Sequence, residues 1–131
     1  MLPVDPAGPR RTRGAIFVYY KVAGGRVERL REAFERAAAA PFPAFPCIRR
    51  VELMCRSVPE LSAGLPDAAQ TWMEIYWLEQ WPVLDGRTPD RRDAEQELES
   101  LQQAIEGRAR EAGIIDLVDG ARHYEAFDSC A

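Results

Sequence analysis

A chain of 131 residues, 47% hydrophobic and 29% charged, is long enough for one domain with its own core. Its net charge of −4 gives no general attraction to nucleic acid or to an anionic membrane. No stretch approaches the ~18 consecutive apolar residues of a membrane span, and the opening MLPVDPAGPRRTRG lacks the apolar centre of a signal peptide. Cys47, Cys55 and Cys130 form no C-x-x-C pair and fit free thiols in a reducing compartment, so the expected location is the cytoplasm.

Residues 1–13 are rich in proline and charge and read as a disordered N-terminal arm; residues 14–131 form the single expected domain. Gly14 to Val22 (GAIFVYYKV) is β-branched and aromatic, as a strand should be. After the turn Ala23-Gly24-Gly25, Val27, Leu30, Phe34 and Ala37 recur at helical spacing, and Pro41 ends that helix. A second strand is expected from Ile48 to about Arg56, then a loop at 57–69. Gln70 to Glu79 (QTWMEIYWLE) is the clearest strand in the chain. Beyond a second loop at 80–89, Thr88-Pro89 resembles a helix start, and Ala94, Leu98, Leu101, Ile105 and Ala112 mark the buried stripe of a long helix closed by Gly113. Ala121 to Phe127 completes the series as a fourth strand. The order β-α-β-β-α-β predicts an α+β, ferredoxin-like βαββαβ sandwich, in which both helices cover one face of a four-stranded antiparallel sheet.

Alternation along each strand divides the side chains between two faces. The aliphatic sets (Ile16 and Val18; Val51, Leu53 and Cys55; Met73, Ile75 and Trp77) are expected beneath the helices. The open face is then expected to carry Phe17, Tyr19, Lys21, Arg50, Glu52, Met54, Arg56, Trp72, Glu74 and Tyr76, with His123, Glu125 and Phe127 from the last strand. So many aromatics beside charges on an uncovered face point to an interface or a ligand site, and a homodimer formed sheet to sheet would seal a cleft between the two copies.

His123, the only histidine, stands two residues from Glu125. The pair supports three readings: a hydrogen-bonded strand end or dimer seam, an acid–base or ligand-binding group in a cleft, or one corner of a metal or haem site with Glu74. No ligand spacing supports the last, so neither metal nor cofactor is expected. The candidate catalytic set is His123, Glu125 and Glu74; the candidate ligand-binding set is Tyr19, Arg56, Trp72 and Tyr76. An aromatic platform on the first and third strands also has the general form of an RNA-binding sheet, but QTWMEIYW lacks the glycine-containing signature and the chain is acidic, so no nucleic-acid partner is expected.

IFVYYKV, QTWMEIY, Arg56 and the closing GARHYEAF together resemble an uncharacterised family of short bacterial proteins known only as a domain of unknown function. The resemblance spans roughly residues 15–130 and fails in the N-terminal arm and in the two long loops. That family is similar in form to the dimeric α+β barrels, a group holding cofactor-independent monooxygenases, isomerases and haem-dependent enzymes. The resemblance thus implies the fold and a homodimer, with no activity to carry over. The expectation is a small-molecule-binding protein, or a minor enzyme, with its site on the open sheet face. The alternative is a non-catalytic module whose aromatic face only makes the dimer.

Overall fold

The computed structural model describes residues 11–40, 42–56, 69–82 and 91–129. Strand β1 (Arg11–Ala23) passes through a 3-10 turn at Gly24–Arg26 into helix α1 (Val27–Ala39); β2 (Ile48–Cys55) and β3 (Ala69–Pro82) follow, then helix α2 (Arg91–Ala112), a 3-10 turn at Ile115–Leu117, and β4 (Asp119–Asp128). The strands form one antiparallel sheet in the order β2-β3-β1-β4, with β1 and β3 central. This is an α+β arrangement compatible with a ferredoxin-like fold. None of its described helices is long and apolar enough to cross a membrane.

Strand β1 begins at Arg11, so Arg11 to Arg13, expected in the arm, are strand. Residues 1–10, most of both expected loops, the Thr88-Pro89 helix start and Cys130 lie outside the described residues. Helix α2 ends as Gly113 suggests. Gly113 adopts φ +84°, its N–H donates to the Arg110 carbonyl at 3.1 Å, and the Ile114 N–H donates to the Ala109 carbonyl at 2.9 Å. That is a Schellman closure, and it drops Ile114 into the core.

The core lies between the sheet and the two helices. Leu30, Ala33 and Phe34 of α1 and Leu101, Ile105 and Ala109 of α2 pack on Ile16, Val18, Tyr20, Val22, Trp72, Tyr76, Leu78 and Trp81. The strand alternation places these residues on one face until it is interrupted near the end of β3. Thr12 pairs with Trp81 and Gly14 with Leu78, so Arg13 faces two residues, Glu79 and Gln80. Gln80 takes the left-handed φ of 56°. The bulge shifts the alternation by one and turns both Leu78 and Trp81 inward.

Burying Trp81 depends on Gly14. A Cβ at residue 14 would lie 2.6 Å from the Phe127 carbonyl oxygen and 2.8 Å from Cδ1 of Trp81. The first is backbone and the second a fully buried indole, so neither can yield cheaply. Gly14→Ala should therefore destabilise the fold by about 1–3 kcal/mol through overpacking. The urea midpoint measures this, and an unchanged midpoint would show that the sheet adjusts freely there.

Candidate functional site

Cross-strand pairing arranges the open face in three rows running from β2 to β4: Arg50-Trp77-Ala15-Phe127, Glu52-Ile75-Phe17-Glu125 and Met54-Met73-Tyr19-His123. Phe17 meets Trp77 edge to face at 6.4 Å and Phe127 at 5.3 Å. The Arg50 guanidinium lies over the Trp77 ring at 5.5 Å and reaches Glu52 at 2.6 Å, while the Trp77 indole N–H donates to the same Glu52 at 2.7 Å. Phe127 and Met54 remain 53% and 46% exposed. At the Phe127 end the face is hollowed into a depression of about 900 Å³, floored by Ala15, Phe17, Met73, Trp77 and Phe127 and rimmed by arginines and carboxylates.

His123 and Glu125 fall on this face, as expected. His123 is exposed and stacks on Tyr19 at 5.1 Å, and the Tyr19 hydroxyl donates to Glu125 at 3.3 Å. The Glu125 charge raises the Tyr19 pKa above its ordinary value. Glu125 lines the depression; His123 lies beside it, on the Tyr19 row. Arg56 is exposed just past the end of β2, its N–H bonded to the Thr71 carbonyl at 2.9 Å, and does not line the depression.

Strand β3 departs from the expectation. Trp72, Glu74 and Tyr76 face the helices, whereas Met73, Ile75 and Trp77 face outward. The expected set of His123, Glu125 and Glu74 is therefore divided by the sheet, and so is the grouping of Tyr19 with Trp72 and Tyr76. The physical reason is a set of donors that converge on Glu74. Its carboxylate is fully buried and accepts from the Tyr20 hydroxyl at 2.6 Å, from the Tyr76 hydroxyl at 2.5 Å, and from both terminal nitrogens of Arg122 at 2.7 and 3.3 Å. Four donors occupy the four acceptor positions of a carboxylate.

Arg122 extends the network, donating through Nε to Glu106 of α2 at 2.5 Å, and Tyr124 donates its hydroxyl to the same Glu106 oxygen. The guanidinium also lies over the Tyr20 ring at 5.0 Å. Burial by itself would lower the Arg122 pKa, but the hydrogen bonds and charge of Glu74 outweigh it and hold the cation above its ordinary value. Burial, followed by the Glu74 charge, raises Tyr20 and Tyr76; burial and the bond to Glu106 raise Tyr124.

Tyr20, Glu106, Arg122 and Tyr124 were not among the candidates read from the sequence. A signal for Tyr20 was present: it shares the parity of Ile16 and Val18, so its hydroxyl lies under the helices and needs an acceptor there. Among the described residues, no three or more His, Cys, Asp or Glu side chains gather to hold a metal ion.

No family model, curated protein or solved structure matches this chain.

The network yields two predictions. Arg122→Met leaves the buried Glu74 charge without its cation and should cost about 3–5 kcal/mol, whereas adding Glu74→Leu should restore most of that loss. Chemical denaturation of the single and double variants decides it, and a double variant no more stable than the single would refute the pairing. The second concerns alkali. The folded chain keeps Tyr20, Tyr76 and Tyr124 neutral, while unfolded tyrosines ionise near pH ~10. Their contribution to stability is complete below that pH and is lost as pH rises above it, because the unfolded state then releases protons that the folded state retains. Tyrosinate absorbance from these three should appear together with the loss of circular dichroism, and only the half-buried Tyr19 on the open face should titrate earlier.

Proposed function

We propose that this protein binds a small, largely apolar molecule in the depression on the open sheet face, and that two copies meet through that face. The chain would then be a ferredoxin-like βαββαβ domain assembled as a dimeric α+β barrel. The observation that carries the reading is the depression itself. Its volume of about 900 Å³ lies in the range of small-molecule sites, its floor is apolar and aromatic, and a few charged groups stand at its rim. The opposite face of the sheet is already filled by the helices, so this is the face left for recognition.

Binding, rather than catalysis, is the activity favoured. Of the three acid–base candidates only Glu125 touches the depression. Glu74 is committed to Tyr20, Tyr76 and Arg122 beneath the sheet. If a proton is moved here, the Tyr19-Glu125-His123 cluster is the place for it, through Glu125.

The exposed Phe127 and Met54 favour a second component, self-association. They stand on the two edge strands, on either side of the face, and the rows between them carry both signs of charge: Arg50 and Glu52 towards β2, Glu125 on β4. A twofold apposition can bring unlike charges together and close over the depression.

Light scattering of the wild type and of Phe127→Asp, each with and without the uncharged apolar dye Nile red, tests both components. The expected result is a wild-type dimer that takes up the dye with folded-state circular dichroism, and a folded Phe127→Asp monomer. A wild type that stays monomeric at high concentration overturns the dimer. A folded dimer that takes up no dye overturns ligand binding and leaves the aromatic face as a dimer seam.

A further inference from the structure

We infer that the ligand of the open face is an elongated, flexible amphiphile, a straight hydrocarbon chain with an anionic head, lying with its head at Arg13 and its chain directed towards Met73. This rests on the reading that the depression binds a small molecule, and it specifies the chemical class. The floor has no opening between its rings. Ala15 and Ile75 beneath them are 5% and 3% exposed, and the Phe17 ring lies 5.3 Å from Phe127 and 6.4 Å from Trp77. A ligand must therefore lie along the floor, because it cannot enter it. The depression is also longer than it is wide. On β3 its lining runs from Glu79 to Met73, about 20 Å of strand, whereas Trp77 and Phe127 at its sides stand two strands, or about 10 Å, apart. A long, shallow surface suits a narrow chain better than a compact ring system.

The two ends of this surface differ in chemistry. Arg13 stands at the Glu79 end, lines the depression, is exposed, and makes no ion pair among the described residues. The neighbouring arginines are committed: Arg49 to Glu79 at 3.2 Å, and Arg50 to Glu52 and the Trp77 ring. Of the carboxylates at that end, Glu79 is held by Arg49 and Asp128 is engaged as well. Arg13 is thus the cation available to an anionic head. At the far end Met73 pairs across the strands with Met54, which is 46% exposed, so apolar surface continues past the depression. Methionine is unbranched and adapts to a flexible chain. Between the ends, Ile75 and Phe17 hold the two central strands apolar, and the charges of that row, Glu52 and Glu125, stand on the edge strands. The net charge of −4 opposes an anionic membrane, so the amphiphile is a free molecule and not a lipid surface.

Calorimetric titration of the full chain with hexanoate, decanoate and tetradecanoate, below micellar concentrations, tests the inference. The expected result is an affinity that rises about twofold per added methylene, against about fourfold for full burial. Adamantane carboxylate, with the same charge on a globular body, should bind more weakly than decanoate. Met73→Gln, checked for folding by circular dichroism, should remove the gain from decanoate to tetradecanoate and leave hexanoate unchanged. Arg13→Gln should abolish the preference for decanoate over uncharged decanol and leave decanol binding unchanged. An affinity that stops rising beyond hexanoate, or adamantane carboxylate binding as tightly as decanoate, overturns the elongated ligand. An unchanged preference in Arg13→Gln overturns the placing of the head. Binding to phosphatidylglycerol vesicles without binding of monomeric decanoate overturns the free amphiphile in favour of a membrane surface. In each of these outcomes uptake of Nile red leaves the apolar binding face standing, whereas no uptake of the dye overturns the binding reading itself.

Discussion

A carboxylate with no access to water lies at the centre of this molecule. Glu74 projects from the middle of β3 into the layer between sheet and helices, where an unpartnered charge would be intolerable. It is stable there because Tyr20 and Tyr76 reach it from the central strands and Arg122 from the edge strand β4. Arg122 in turn holds Glu106, which Tyr124 also holds, so one chain of charged hydrogen bonds connects β3, β1, β4 and α2. A hydrophobic replacement of similar volume is often as stable as such a pair. What the network supplies is register: a one-residue slip of β3 would expose its donors to apolar neighbours.

That register decides what the opposite face contains. With Trp72, Glu74 and Tyr76 turned inward, Met73, Ile75 and Trp77 must face out. Trp77 then joins Phe17 and Phe127 in an aromatic group that would otherwise lack its largest member. The proposed site is in this sense a consequence of the buried ion pair on the other side of the sheet. The bulge at Glu79 and Gln80 adds to the effect. It lets Trp81 return to the core after Trp77 has left it, so two tryptophans four residues apart serve opposite faces.

The elements were legible because their signals are local. Helical spacing from Val27 to Ala37 and from Ala94 to Ala112, the punctuation by glycine and proline, and the β-branched runs each depend on residues close in sequence. The faces of β1, β2 and β4 were legible too, except that Cys55, expected beneath the helices, is exposed at the end of β2: Ile16 and Val18 admit one inward side, and His123, Glu125 and Phe127 follow outward from it. Strand β3 was not. QTWMEIYW offers large apolar residues at both parities, and the rule that charge turns to water chose the wrong one. Nothing near Glu74 in sequence announces that two tyrosine hydroxyls and an arginine from distant strands will meet it. The same error placed His123 and Glu74 in one candidate site, when the sheet separates them.

The sequence by itself determined the α+β class, the order and approximate limits of the strands and helices, and the outward direction of His123, Glu125 and Phe127, because periodicity and turn chemistry act over a few residues. Only the tertiary structure decided which side of β3 is buried, since that choice depends on satisfying one carboxylate with donors from strands that lie far apart in the chain. It also decided that the histidine stacks beside the depression while Glu125 lines it, and that Ala15 faces Trp77 and Phe127 across the sheet. Those neighbours are set by cross-strand register, which spacing along a single chain does not encode.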